Sequence, residues 1–235
     1  MNMIRKGESR ITEGTVARER LLRQSRRMIP GLNNRLVWYT PHEVWKSIHA
    51  FPVKQWHRFI EDDYEPQNPM KVCVLVQCAG PKPYPRAFTI RQVLNAIQEF
   101  KNKLDIAVVS EPFAIEPEEY WSLQWTCNGR RVNLLYDCPG LMKWWVTSQF
   151  GKGAWDADLY NRTADHIGAV IRSYFERLAY EHVILYAVTE THRDFVSRAD
   201  FGAIILPRGI DRLHTRMSFG KGLSALRLRL RRLLN

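Results

Sequence analysis

Side chains that can act as nucleophiles, acids or bases stand directly after apolar runs in this sequence. The run Val72–Val76 leads to a segment with a thiol, a lysine and a tyrosine, Gln77-Cys78-Ala79-Gly80-Pro81-Lys82-Pro83-Tyr84. A thiol becomes a good nucleophile when a neighbouring cation lowers its pKa, and Lys82 follows Cys78 closely enough to be that cation. Taken alone, this cysteine is equally typical of a small buried residue, and the lysine of a solvated loop.

Carboxylates and a histidine follow three further apolar runs. The run Ile106–Val109 leads to Ser110-Glu111-Pro112-Phe113, Val132–Tyr136 leads to Asp137-Cys138-Pro139-Gly140, and His182–Val188 leads to Thr189-Glu190-Thr191-His192. Unbroken apolar runs are typical of parallel strands that are covered on both faces, and the carboxyl ends of such strands meet at one edge of the sheet. We therefore expect a ligand pocket at that edge, with Cys78, Lys82, Glu111 and Asp137 as its catalytic residues.

Strands and helices must alternate along the chain to bring these residues together. Strands are predicted at the four runs above and at Ala203–Leu206, and helices at Arg91–Lys101 and Asp158–Tyr180, where apolar residues recur at helical spacing. Such alternation implies right-handed crossovers and predicts an α/β fold, a three-layer sandwich with a mainly parallel central sheet. The chain is expected to divide into a basic N-terminal helical extension and cap at 1–70, an α/β core domain at 71–206 and a basic C-terminal helix at 207–235.

Positive charge is concentrated at the two ends of the sequence. The net charge is +11; residues 1–35 hold nine Lys or Arg and three Glu, and residues 207–235 hold eight Lys or Arg and one Asp. Because the arginine side chain binds phosphate through two hydrogen bonds, these ends predict contacts with nucleic acid. The arginines expected to make them are Arg23, Arg26, Arg27, Arg227, Arg229, Arg231 and Arg232. An anionic membrane surface, or helices that leave their arginines in water, would give the same pattern.

The composition excludes several classes of protein and of site. With 45% hydrophobic and 25% charged residues, the chain is typical of a globular protein rather than a disordered one. No apolar run is long enough to cross a bilayer, and the first residues lack the apolar segment of a secretory signal, so we expect a soluble cytoplasmic protein. The four cysteines form no Cys-x-x-Cys pair, and no glycine-rich phosphate loop occurs. Free thiols, no metal and no cofactor are therefore expected.

Three segments resemble a known family, in the order in which that family has them. The segment Cys78-Ala79-Gly80-Pro81-Lys82-Pro83-Tyr84 fits Cys-x-x-x-Lys-Pro-Tyr and resembles the core motif of the archaeosine synthase family. Residues Ser110–Glu119 are similar to the family's strand-end segment, and Tyr136–Gly140 to its Tyr-Asp-Val-Pro. The resemblance covers roughly residues 70–190.

This resemblance implies a fold similar to that of uracil-DNA glycosylases and a reaction on a 7-deazaguanine base within DNA or tRNA. In the family, the amine of free lysine adds to the nitrile of 7-cyano-7-deazaguanine in the polynucleotide. The Cys78 thiol would add to the nitrile, and an amine or water would resolve the thioimidate, with Glu111 or Asp137 moving protons. Tyr84 would stack on the base. Substrate contacts are expected from Gln77, Pro83, Tyr84, Pro112, Phe113, Pro139 and Gly140.

Two other functions stay open, because Gln77, Ala87 and Ile90 stand where the family has proline, serine and histidine. A member that has lost its chemistry would bind nucleic acid and recruit a partner of a base-modification system. A base-excising, glycosylase-like hydrolase would use Asp137 or Glu111 to activate water. The expected partners are DNA or tRNA, an amine such as lysine and other enzymes of the 7-deazaguanine pathway, with no membrane.

Overall fold

A five-stranded mixed sheet lies at the centre of the fold. The computed structural model describes residues 3–208 and 215–234, with side chains over 16–208 and 220–234. Its strands are β1 Val72–Gln77, β2 Asp105–Ser110, β3 Ala114–Pro117, β4 Gln124–Cys127, β5 Arg130–Asn133, β6 His182–Tyr186 and β7 Ile204–Leu206. The sheet has the order β3-β2-β1-β6-β7, in which β3 is antiparallel to β2 and the other neighbours are parallel. The predicted α/β fold with a mainly parallel sheet is confirmed.

Helices cover both faces of this sheet. They are α1 Met3–Met28, α2 Pro41–Ser47, α3 Val53–Arg58, α4 Phe88–Ile97, α5 Lys143–Phe150, α6 Ala157–Leu178, α7 Glu190–Ala199 and α8 Thr215–Leu234. α4 packs with α8, and α6 packs with α7 and α2, so that helices and sheet form three layers. Right-handed crossovers explain the two faces, because the chain moves from β1 to β2 in one direction along the sheet and from β6 to β7 in the other.

Apolar spacing in the sequence accounts for the two helices that cover most of the sheet. Their buried residues recur three and four apart, at Ile90, Val93 and Ile97 in α4 and at Ile167, Val170, Ile171 and Tyr174 in α6. The Asp156 side chain caps α6 at its start, and Ala179 ends it in the left-handed conformation. The predicted helix Arg91–Lys101 is present, but its second half is the 3₁₀ helix Gln98–Lys103.

The predicted strand Val132–Tyr136 does not belong to the central sheet. β5 ends at Asn133 and pairs with β4 in a separate two-stranded antiparallel sheet. The apolar residues that follow are buried because they run beside residues 36–38, where Asp137 O accepts a hydrogen bond from Trp38 N at 2.9 Å. An unbroken apolar run therefore indicates burial here, but not a strand of the parallel sheet.

One hydrophobic core joins the three parts into which the sequence was divided. Its buried residues come from the strands, from the segment 29–64 and from α8, where Leu226 and Leu230 are fully buried. The division of the chain into domains stays a prediction. None of the described helices is long and apolar enough to span a membrane.

Candidate active site

The carboxyl ends of β1, β2 and β6 meet where the sheet changes direction. The chain leaves β1 toward β2 and leaves β6 toward β7, so the loops after these two neighbouring strands diverge. Ligands of open parallel sheets bind in the crevice that such loops leave between them. Cys78 follows β1, Glu111 follows β2, and His192 lies in the first turn of α7, after β6. Three strand ends thus bring these side chains to one place.

Cys78, Glu111 and His192 are in mutual contact. The Nε2 atom of His192 lies 3.2 Å from Cys78 Sγ and 3.1 Å from Glu111 Oε2, and the sulfur lies 3.8 Å from the same carboxylate oxygen. The other ring nitrogen of His192 is hydrogen-bonded to the Thr189 hydroxyl. Gln77 fixes Thr189, since its Oε1 accepts the Thr189 N–H at 3.1 Å. A thiol, an imidazole and a carboxylate are therefore held within reach of proton transfer.

The three residues line a cavity of about 100 Å³. Its walls come from the loops after β1, β2 and β6 and from the segment 136–142. They are formed by Cys78, Ala79, Gly80, Lys82, Glu111, Tyr136, Asp137, Cys138, Pro139, Met142, Thr189 and His192. All four residues predicted to be catalytic are among them. A cavity of this size holds a few water molecules or one small functional group, so it fits the reacting end of a substrate rather than a whole nucleobase.

Burial and mutual contact set the protonation of this cluster. Burial raises the pKa of the Cys78 thiol and Glu111 raises it further, whereas His192 and Lys82 lower it by less. Burial alone would lower the pKa of His192, but Cys78 and Glu111 outweigh burial and raise this pKa to about 10. At neutral pH His192 is thus an imidazolium, held between the Cys78 sulfur and Glu111. The expectation that Lys82 gives Cys78 a lowered pKa is wrong, because burial and Glu111 act more strongly.

Lys82 is a buried ammonium group, with 2% of its surface exposed. Its Nζ donates a hydrogen bond to Ala79 O at 3.1 Å and lies 4.0 Å from the centre of the Tyr136 ring, in a cation–π contact. Among the residues that the structure describes, no carboxylate forms an ion pair with Lys82. Lys82 therefore brings a positive charge to the cavity wall, where a group that enters the cavity can accept a hydrogen bond from it.

Asp137 lines the same cavity and is held there by the end of α1. The Ser25 hydroxyl donates a hydrogen bond to Asp137 Oδ2 and lies 2.7 Å from the Tyr39 hydroxyl. Burial raises the pKa of Asp137, and the Ser25 hydrogen bond lowers it by less. Met28 closes the same side, since a Cβ on Gly80 would lie 3.0 Å from the Met28 sulfur. The last turns of the basic helix α1 therefore pack against two residues of the cavity wall, Asp137 and Gly80.

A second polar cluster lies beside the cavity and is closed to solvent. The Tyr84 hydroxyl donates to the Tyr136 hydroxyl at 2.7 Å, and Tyr136 donates to Glu116 Oε1 at 2.8 Å. The Ser110 hydroxyl donates to the same Glu116 oxygen at 2.7 Å. The predicted stacking of Tyr84 on a base is wrong, because its ring is 0% exposed and the residue does not line the cavity.

Two further residues predicted to contact the substrate serve the core instead. Phe113 is fully buried and packs edge-on against Trp56, with ring centroids 6.2 Å apart. Gly140 lies so close to α2 that a Cβ on it would be 2.8 Å from Val44 Cγ2. Both predictions are corrected, since neither residue faces the cavity.

Of the four remaining residues predicted to contact the substrate, one lines the cavity and three do not. Pro139 lines the cavity, whereas Pro83 is half-buried outside it. Gln77 fixes the loop after β6, as described above. The Pro112 carbonyl oxygen lies 2.7 Å from His57 Nε2, a buried contact that anchors the residue after Glu111.

Of the two Arg-rich helices, α1 packs beside the cavity, whereas α8 ends away from it. On α1, the predicted nucleic-acid residues Arg23, Arg26 and Arg27 are all exposed. On α8, both Arg227 and Arg231 form ion pairs with Glu99, at 3.2 and 3.1 Å, while Arg229 is half-buried and Arg232 is exposed. α8 ends near the start of β2, where Lys103 Nζ donates to Leu234 O at 3.5 Å. The end of α8 therefore lies at the edge of the sheet opposite the cavity.

The cluster also carries the types of donor atom that bind zinc. The sulfur of Cys78, the oxygen of Glu111 and the nitrogen of His192 lie within 4.8 Å of one another. These residues are far apart in the sequence, which is why their spacing predicts no metal. A zinc ion would require both the thiol and the imidazolium to lose a proton.

His192 is the functional residue to which the sequence analysis assigns no role. It stands at the predicted edge, just after the run His182–Val188, so its position was a usable signal. Neither Glu116 nor Ser25 stands directly after a long apolar run. Glu116 lies in β3, which has no long apolar run, and Ser25 lies in a helix far from the site in sequence.

Comparisons with known proteins leave the function to be argued from the site. No protein-family model and no curated protein matches this sequence. Among solved structures, a crystal structure of AF0587, a protein of unknown function, matches with a TM-score of 0.44 and 14% sequence identity. The match covers 71% of this chain and 47% of that one, so the chain spans less than half the length of AF0587.

Proposed function

We propose that this protein is an enzyme that adds an amine or water to the nitrile of a 7-cyano-7-deazaguanine base within DNA or tRNA. The observation that carries the proposal is the contact of Cys78, Glu111 and His192, whose reactive atoms lie within 3.8 Å of one another. A nitrile is small and linear, so it fits the cavity of about 100 Å³ while the ring of the base stays outside. The resemblance of residues 78–84 to the archaeosine synthase motif supports this choice of nitrile.

The first step is addition of the Cys78 thiol to the nitrile carbon. A sulfur–carbon bond forms as one π bond of the nitrile breaks, Glu111 accepts the thiol proton across 3.8 Å, and the His192 imidazolium gives a proton to the nitrile nitrogen. The product is a thioimidate on Cys78, with no atom lost. The raised pKa of His192 suits it to donate this proton, and Lys82 stabilises the charge that develops on the nitrogen.

The second step frees the enzyme. The amine or water adds to the thioimidate carbon, and the neutral His192 accepts its proton. The carbon–sulfur bond then breaks, and the Cys78 sulfur recovers its proton from Glu111. Addition of an amine gives an amidine, and addition of water gives an amide. Asp137, on the cavity wall, is placed to hold the incoming amine or water by a hydrogen bond.

His192 also bears on the alternative of an inactive, recruiting module. That alternative rests on Ala87 and Ile90, which replace the serine and histidine of the family. Both residues are 1% exposed and pack in the core. An imidazole nevertheless reaches the cavity from α7 through His192, with the Thr189 hydroxyl bonded to it. These two groups can take over the chemistry, and this supports an active enzyme.

The end of α1 supports a polymer as substrate. Arg23, Arg26 and Arg27 are exposed on the helix whose residues Ser25 and Met28 contact the cavity wall. Phosphates held by these arginines would position one base at the cavity mouth. Because the cavity admits only the reacting group, the base must leave its stack, as it does in the uracil-DNA glycosylases that we take to share this fold. We assign the reaction to the cytoplasm as part of the same proposal.

Mass spectrometry of nucleosides tests this function. DNA and tRNA are digested from cells that make 7-cyano-7-deazaguanine-modified polymers, with the protein absent, present or present as Cys78→Ala. A matched control is Cys127→Ala, which removes a thiol from β4, outside the cavity. We expect a new nucleoside with the wild type and with Cys127→Ala, and none with Cys78→Ala. Its mass identifies the group added, and its source identifies the polymer.

Other results of this experiment would favour the alternatives. Loss of the modified base, with free base released, would indicate a glycosylase that uses Asp137 or Glu111 to activate water. No change in either polymer, from protein that binds nucleic acid, would indicate the recruiting module. Full activity of Cys78→Ala would overturn the thioimidate mechanism.

A further inference from the structure

A groove of about 900 Å³ opens directly beside the cavity. The two spaces share the wall residues Met142 and Thr189, so the groove adjoins the site. Its far wall carries Trp144, Trp155 and Tyr160. The groove has the volume that small-molecule sites usually have, whereas the cavity holds only a reacting group. A substrate with its reacting group in the cavity would therefore extend into this groove.

The aromatic side chains of the groove are presented to solvent or held rigidly. Trp144 is 70% exposed, on the first turn of α5. Trp155 and Tyr160 contact each other with ring centroids 5.2 Å apart, and the Tyr160 hydroxyl donates to Asp194 at 2.7 Å. An exposed tryptophan has no role in the core. A flat apolar ring at the mouth of a site is suited to stacking on another flat ring.

The charged residues around the groove indicate which class of ligand would carry the stacked ring. Lys143 lines the groove next to Trp144, and Glu190 lines it as well. On the other side of α5, Arg20 of the basic helix α1 donates to Gln149 at 3.0 Å, so α5 connects the groove to the exposed arginines of α1. Aromatic platforms beside basic residues are the usual means of binding single-stranded nucleic acid, since bases stack while phosphates meet cations.

We propose that this groove binds an unpaired nucleobase adjacent to the target base, stacked on Trp144, so that the substrate is a single-stranded segment of nucleic acid. The inference rests on the proposed function in taking nucleic acid as the substrate. Moving the target base into the cavity removes a stacking partner from its neighbour in the strand, and Trp144 replaces that partner. A free amino acid is the competing occupant, because the wall also carries the opposite charges of Lys143 and Glu190, and the test below distinguishes the two.

The test measures the affinity of the protein for short, unmodified, fluorescein-labelled single strands of DNA and RNA and for the corresponding duplexes. We expect Trp144→Ala to weaken single-strand binding roughly 5- to 100-fold, and Trp144→Phe to restore most of the loss, because phenylalanine still stacks. Duplex binding should be weaker from the start and should change less. Phe51→Ala is the control, since Phe51 is also an exposed aromatic, at 64%, but lies outside the groove. It should bind like the wild type.

Three results would overturn the proposal. They are unchanged single-strand binding in Trp144→Ala, an equal loss in Phe51→Ala, and an equal loss for duplex and single strand. If Trp144→Ala left strand binding intact but raised the KM for a free amine, the groove would hold the second substrate instead. Cys78→Ala should bind strands like the wild type. The binding assay therefore tests the groove, and the nucleoside assay tests the proposed reaction, independently of each other.

Discussion

Two polar clusters lie side by side at the carboxyl end of the sheet, and they are built from the same loops. One consists of Cys78, Glu111 and His192 and lines a cavity. The other links Tyr84 to Glu116 through the Tyr136 hydroxyl and is closed to solvent. Both contain a buried carboxylate with two or more polar contacts. The first faces the cavity with its three reactive atoms, whereas the second reaches the cavity only at Tyr136 and makes its hydrogen bonds within the protein.

This difference indicates how buried polar groups divide between chemistry and stability. A buried donor or acceptor is costly unless it has a partner. In the closed cluster Glu116 Oε1 accepts hydrogen bonds from two fixed hydroxyl groups, while Oε2 has no hydrogen-bond partner among the described residues. We expect the two hydrogen bonds to stabilise the fold. In the open cluster a thiol, an imidazolium and a neighbouring ammonium face a cavity, where a substrate supplies further partners. Variants of the open cluster should therefore lose activity, and variants of the closed cluster should lose stability.

The largest effect is expected on the activity of the open cluster. Cys78→Ala removes the nucleophile and should lower the rate of nitrile conversion by at least about 10³-fold. The free energy of unfolding should change by less than about 1 kcal/mol, since only one sulfur at a cavity wall is lost. Single-turnover assays and urea denaturation measure the two quantities. If Cys78→Ala were as active as the wild type, the cluster that lines the cavity would not be catalytic through its thiol.

The closed cluster should show the opposite behaviour. Glu116→Ala leaves the hydroxyls of Ser110 and Tyr136 without their acceptor inside the core, and the free energy of unfolding should fall by about 2–4 kcal/mol. Glu118→Ala is the control, because it breaks a surface ion pair with Lys101 and should cost less than about 1 kcal/mol. Equal urea midpoints for both variants would show that the closed cluster is not structural.

The pH dependence of stability should carry the signature of His192. Its pKa is raised from 6.5 to about 10 in the folded protein, so the folded state keeps a proton that the unfolded state loses in this range. The resulting stabilisation is complete below pH 6.5 and is lost as the pH rises toward 10. We expect the unfolding free energy of the wild type to fall over this window by on the order of 5 kcal/mol more than that of His192→Gln. Parallel curves for the two proteins would contradict an imidazolium in the open cluster.

Chelation should have the smallest effect. If the open cluster works by its thiol, imidazolium and carboxylate, prolonged dialysis against EDTA should leave the rate of nitrile conversion unchanged. Elemental analysis of the dialysed protein accompanies the assay. Loss of activity with EDTA, restored by zinc, would assign the donor atoms of Cys78, Glu111 and His192 to a metal ion instead.

The sequence predicts the framework of the fold because its strands are buried on both faces. The runs at β1, β2 and β6 are unbroken and apolar, and their carboxyl ends place Cys78 and Glu111 correctly at one edge. Asp137 reaches the same cavity for a different reason. The predicted strand before it does not exist in the sheet, and the residue is carried there by pairing with residues 36–38.

The sequence does not predict in which direction a loop side chain points, or which residues that are distant in the sequence come into contact. Tyr84 and Phe113 also stand in the segments that follow strand ends, but their side chains turn into the core. Sequence distance alone does not reveal which way a side chain in a loop points. Ser25 contacts Asp137 across more than a hundred residues, and the sign of the pKa shift of Cys78 depends on Glu111 and on burial together. Neither follows from local pattern.

A direct test of the central claim is to look for the covalent intermediate on Cys78. Wild-type protein and Cys78→Ala are incubated with an oligonucleotide that contains 7-cyano-7-deazaguanine, quenched with a denaturant during turnover, and analysed as intact proteins and peptides by mass spectrometry. Because addition to a nitrile loses no atoms, the wild type should gain the full mass of the oligonucleotide, on the peptide that contains Cys78, and the variant should gain none. Turnover by the wild type without such an adduct, together with turnover by Cys78→Ala, would contradict the account.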